Sequence, residues 1–103
     1  MPGYGTSEFA DTINNFGLDG EIVIANTDTP QAVRVGTENA KDRQQLTIHP
    51  LNGDIEWGFS DTLTDGSPLC EGQTLGYPAG DCLDIYIITK SATPITVRIT
   101  EAG

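Results

Sequence analysis

"GFSDTLTDGSPLCEGQTLGYPAGDCLDIYII", residues 58–88, begins as the end of one apolar strand and finishes as another. Between them stand Gly66, Gly72, Gly76 and Gly80, Pro68 and Pro78, four aspartates and two cysteines, with no helical periodicity. In a chain of 103 residues so long an irregular path must serve the fold or a site. A strand leaving one layer of a β-sandwich has to cross to the other. Gly and Pro supply the backbone freedom for that crossing. Leu63, Leu69 and Leu75 recur every six residues and are expected to peg the crossover to the sandwich rim. "QTLGY" adds an expected short strand.

The flanking sequence alternates with a period of two, the mark of strands with one buried face. "EIVIAN" sets Ile22 and Ile24 on one face. "AVRV" points Val33 and Val35 inward and Arg34 outward. "QLTIH" sets Leu46 and Ile48 against Thr47 and His49. "DIEWGF" aligns Ile55, Trp57 and Phe59, "LDIYIIT" aligns Leu83, Ile85 and Ile87, and "ITVRIT" aligns Ile95, Val97 and Ile99. "NTDTP", "TDGSP", "PAGD" and "SATP" read as turns. Asn52-Gly53 in "HPLNGDIEW" reads as a type I′ hairpin. The expected fold is all-β, a single β-sandwich, jelly-roll-like or Ig-like.

Length allows one domain with a small core. Five basic residues against fifteen acidic ones give a net charge of −10. That balance argues against nucleic acid and against an anionic membrane surface. No apolar run approaches the roughly 20 residues of a membrane span. "MPGYGTSEFAD" has neither the basic nor the apolar part of a signal peptide, so cytoplasmic synthesis is expected.

Residues 1–20 read as an N-terminal arm, extended or partly helical, ahead of a domain over 21–103. Ser7 caps an expected turn or two of helix in which Phe9, Ile13 and Phe16 share a face. The strand at 83–89 is apolar on its second face too, through Tyr86 and Ile88. Such a strand is covered either by the arm or by another subunit. Tyr4, Phe9, Ile13, Phe16, Tyr86 and Ile88 are therefore the candidate partner-binding residues.

Residues 43–101 carry a sequence of features in fixed order. Arg43 precedes an alternating strand, and Asn52-Gly53 makes a turn. Ile55-Glu56-Trp57-Gly58, Gly66-Ser67-Pro68-Leu69 and Gly72-Gln73-Thr74-Leu75 follow. Ile85-Tyr86 and Val97-Arg98-Ile99, with a glutamate closing the last strand, complete the order. This resembles small tailed-phage virion proteins. Trp57 replaces the usual Tyr of that pattern, and the two cysteines are an addition. The resemblance implies a decoration, cement or fibre component of a phage particle, made in the host cytoplasm and carried in the virion. It implies sister subunits, a trimer favoured, and the major capsid protein as partners.

The residues that could carry chemistry have simpler readings. His49 is the single histidine, too few for a multi-histidine metal site, and lies on a polar strand face. Neither cysteine sits in an activated-thiol context, so no catalytic residue, metal or cofactor is expected. Cys70 and Cys82 form a candidate disulfide tying the crossover to the next strand; two free thiols are the alternative. Asp61, Asp65, Asp81 and Asp84 offer oxygens for calcium but lack the EF-hand spacing, and aspartates in such turns ordinarily shape the turn. A carbohydrate- or receptor-binding module using Tyr77, Tyr86 and the loop aspartates is the rival reading.

Overall fold

The computed structural model of the chain describes residues 16–103. Among them are eight strands and no helix: β1 (Gly17–Ile24), β2 (Gln31–Ala32), β3 (Gln45–Pro50), β4 (Ile55–Gly58), β5 (Ser67–Leu69), β6 (Leu75–Tyr77), β7 (Tyr86–Ile88) and β8 (Ile95–Ala102). They form two four-stranded antiparallel sheets, ordered β1-β8-β3-β6 and β2-β7-β4-β5.

The pairing follows one rule. β1 pairs with β8, β2 with β7, β3 with β6 and β4 with β5. This is the pattern of one long hairpin, folded at the β4–β5 turn. Rolling that ribbon up adds the β3–β8 and β4–β7 pairings and divides it into two sheets. Every connection except β4–β5 therefore passes from one sheet to the other.

The buried apolar cluster draws on both sheets: Ile24, Leu46, Ile48, Ile95, Val97 and Ile99 from the first, Ile55, Leu69 and Ile87 from the second. Alternation along β3 and β8 buries every second residue, as expected. β8 continues the pattern to Glu101, a carboxylate on the buried face.

Several expectations need correction. Residues 17–20, assigned to the arm, are the first half of β1. The helical turn expected over 7–16 lies, except for Phe16, outside the described residues. "AVRV" is not a strand: β2 ends at Ala32, Val33 is buried and Val35 is exposed. Phe59 and Leu83 stand outside their strands and are exposed. Asn52-Gly53 does not close a hairpin, because β3 and β4 belong to different sheets. The Asn52 side-chain oxygen instead accepts from Thr96 N at 2.7 Å, and its amide donates to Pro94 O at 3.3 Å. Gly53 is there for room: a Cβ would collide with Ile95 Cδ1 in the core.

The segment 59–85 resolves into three parts. Residues 59–66 are the loop of the β4–β5 hairpin, and 70–74 and 78–85 are crossings between the sheets. Leu69 is buried and Leu63 and Leu75 are half-buried, so all three act as pegs.

Candidate interaction surface

Strand direction sorts the connections into two ends. The upper end holds the loops 33–44, 59–66 and 78–85, together with Phe16 and Gly103. The lower end holds 25–30, 51–54, 70–74 and 89–94. Surface chemistry differs between the ends.

The upper end is bound together by Arg43 and Glu101, whose side chains are fully buried and meet at 2.6 Å. Arg43 also donates from Nε to Gly80 O, from one Nη to Val33 O and from the other to Leu83 O. Glu101 accepts from Val35 N and Ala40 N, both at 2.8 Å. One ion pair thus fixes two loops to the last strand. Burial alone would raise the Glu101 carboxyl; the N–H groups of Ala40 and Val35 and the Arg43 guanidinium outweigh it and hold the pKa below its usual value. Arg43 and Glu101 are also the first and last positions of the pattern read in the sequence.

Beside this clamp the loops 33–44 and 78–85 are laced by polar side chains. Asn39 donates to Asp81 O and to Asp84 Oδ1, and Asp42 N donates to Asp81 Oδ2. Hydrogen bonding from Asp42 N, then from the Cys82 thiol, lowers the Asp81 pKa. These aspartates serve as loop locks, and among the described residues no group of three or more His, Cys, Asp or Glu is placed to hold a metal.

Cys70 and Cys82 are both free and exposed. The expected disulfide is not formed here: Cys70 opens a lower-end loop, the three-residue β6 follows, and Cys82 lies in the upper-end loop 78–85. His49 stays on the polar outer face, where Nδ1 lies 2.9 Å from Thr74 Oγ1 and 3.0 Å from Gln73 O.

The candidate partner-binding residues separate. Tyr4, Phe9 and Ile13 lie outside the described residues. Phe16 is half-buried, and its carbonyl accepts from Gly103 N at 3.1 Å. Tyr86 and Ile88 take the outer face of the second sheet and are half-buried. Their neighbours supply cover. Leu63 folds over Gly58, the residue opposite Tyr86, closely enough that a Cβ there would stand 2.8 Å from Leu63 Cδ1. Opposite Ile88, Glu56 pairs with Lys90, which also reaches Asp65. The chain's own loop therefore answers part of the doubly apolar strand.

A different cluster is more open. Trp57, Phe59 and Tyr77 meet edge to face, with centroids 5.6–5.7 Å apart. Trp57 and Tyr77 lean on the core, whereas Phe59 is 51% exposed. The cluster closes the upper corner between edge strand β6 and strand β4. The sequence pattern assigned Trp57 and Phe59 to the core, since both continue the alternation of Ile55; the strand ends at Gly58, which frees Phe59 to turn outward.

No protein-family model matches the chain, and no curated protein matches it.

Proposed function

We propose that the chain is a jelly-roll sandwich and a non-enzymatic structural component of a phage particle, decorating or cementing the capsid through sister copies and the major capsid protein. The observation that carries this reading is the rolled-hairpin strand order. Eight-stranded jelly rolls recur in viral capsid proteins. A fold alone does not fix a function, so the resemblance over residues 43–101 supplies the rest. Its two terminal positions, Arg43 and Glu101, are partners in one buried clamp. The pattern therefore describes a scaffold, as expected of a protein that works through its surfaces. The three-fold count of sister copies follows from the resemblance, and the virion is the corresponding location.

Co-sedimentation tests this reading. The purified chain is expected to pellet with capsids of the phage that encodes it once those capsids are stripped of accessory proteins. A chain that stays in the supernatant with intact and stripped shells alike overturns capsid attachment.

The carbohydrate reading is less well served. Tyr77 and Tyr86 belong to different sheets and different surfaces. The aromatic cluster is interlocked at interplanar angles of 61–86°, not laid out as a flat platform. Asp65 is tied to Lys90, and Asp81 and Asp84 are tied to the 33–44 loop.

A further inference from the structure

Exposed large apolar side chains among the described residues are unevenly placed. Leu18, Val35, Phe59 and Leu83 lie at the upper end, and only Val23 and Leu51 lie elsewhere. Phe59 differs from the rest because it belongs to a ring cluster with one ring left open.

We propose that the Trp57–Phe59–Tyr77 cluster is the socket for residues 1–15 of a sister copy, each copy's arm docking on the next. The inference rests on the sister-subunit part of the reading above and names its contact. Residues 1–15 carry Tyr4, Phe9 and Ile13, with Glu8 and Asp11 as their only side-chain charges. Those three side chains are the apolar surface that the segment offers to a socket. It leads into Phe16 and β1 at the upper end, the end that also holds the socket. Fifteen residues reach up to about 50 Å when extended.

The arm's root and the socket share the upper end of each copy. β1 and β6 are the opposite edges of one sheet, separated by three strand spacings or about 14 Å. A head-to-tail ring that set the β1 edge of one copy against the β6 edge of the next would bring the arm's root beside the next copy's socket. The arm's own socket, about 14 Å of sheet away, also lies within its reach, so concentration dependence is what separates the two. Chemistry agrees with position. An aromatic side chain set against Phe59 extends the edge-to-face arrangement and removes the open ring from water. The exposed Leu18 and Val35 beside the arm's root add apolar surface to the same junction.

Trp57 is the only tryptophan, so its fluorescence reports on the socket alone. The test uses the full chain, the Phe9→Ser/Ile13→Ser double variant and Phe59→Ser, each checked for strand content by circular dichroism. In the parent chain, acrylamide quenching of Trp57 is expected to fall as concentration rises through the range where sedimentation detects association. The arm variant should keep full quenching and associate about tenfold or more weakly. Phe59→Ser should weaken association similarly. A mixture of the two variants, which joins an intact arm to an intact socket, should associate better than either alone. Protection of Trp57 that depends on the arm but not on concentration would mean that the arm fills its own socket, and the proposal fails. Variants that associate as tightly as the parent also overturn it, while leaving assembly through another surface and capsid co-sedimentation intact.

Discussion

At the scale of single residues, the buried glutamate is the feature on which most depends. A carboxylate on the inward face of β8 must be paired and hydrogen-bonded, or it destabilises the fold. Glu101 has Arg43, Val35 N and Ala40 N, so it is satisfied as an ion. Arg43→Leu strands that ion and should cost about 3–5 kcal/mol in urea unfolding. Acid should act on the same site. The carboxyl lies below its usual 4.5 in the fold, so its contribution is complete above the unfolded value. That contribution is lost as pH falls through the folded value. Glu101→Gln, destabilised at neutral pH, should therefore show a flatter decline of stability with acid than the parent; an equally steep decline would assign acid sensitivity to other carboxylates. Cys82 gives a second residue-level expectation. Its hydrogen bond and charge contact with Asp81, with a smaller push from Asp84, raise the thiol pKa. In a Cys70→Ser background, Cys82 should react with a disulfide reagent at pH 8 more slowly than the free cysteine amino acid does. A faster reaction would mean that Asp81 does not face the thiol in solution.

At the scale of elements, the β4–β5 hairpin shows what a glycine does where two strands start to separate. Gly66 N donates to Glu56 Oε1, and its α-carbon lies against the backbone of Trp57. A Cβ there would stand 2.5 Å from the Trp57 carbonyl oxygen, an atom fixed in the sheet. Gly66→Ala should cost about 1–3 kcal/mol by overpacking, whereas Gly17→Ala, with nothing within 4 Å of the added carbon, should change the melting temperature little. Equal melting temperatures would show that the hairpin can open without loss. The elements also show how far the sequence could be read. Strands β3 and β8 were legible because one buried and one wet face impose a strict period of two. β2 was not, because its regular pairing ends at Ala32: Val33 N still bonds Ile85 O, and beyond it Val35 N and Ala40 N turn to the Glu101 carboxylate. The Asn52-Gly53 turn was legible as a turn but not as a crossing, since its partner, the start of β8, is more than 40 residues away. The Arg43–Glu101 clamp has a signal in the sequence. Ile95, Val97, Ile99 and Glu101 share one face, and a glutamate ending such a series calls for a buried cation. The open Phe59 had no such signal, because alternation cannot say where a strand stops.

At the scale of the whole molecule, two opposed terms govern how copies meet. Each copy carries a formal charge of −10, and only four described basic side chains make ion pairs or stand free besides the buried Arg43: Arg34, Lys41, Lys90 and Arg98. Lys90 and Arg98 are already paired within the chain. Like-charged copies repel, and the repulsion is screened over about 10 Å at 0.1 M salt and about 3 Å at 1 M. In the proposed assembly the attractive term is burial of the arm's large apolar side chains, of Phe59 and of the upper-end side chains, which salt does not weaken. Association should therefore tighten as sodium chloride rises from about 0.05 to 0.5 M, a range over which the screening length falls severalfold. Sedimentation equilibrium across that series checks the sign. If the copies instead separate as salt rises, their contact is made by ion pairs between opposite charges, and the apolar socket is not what joins them. The same physics bears on a shell. In the proposed assembly, acidic copies held side by side repel, and burial of Tyr4, Phe9 and Ile13 of an arm passed from copy to copy would offset part of that repulsion.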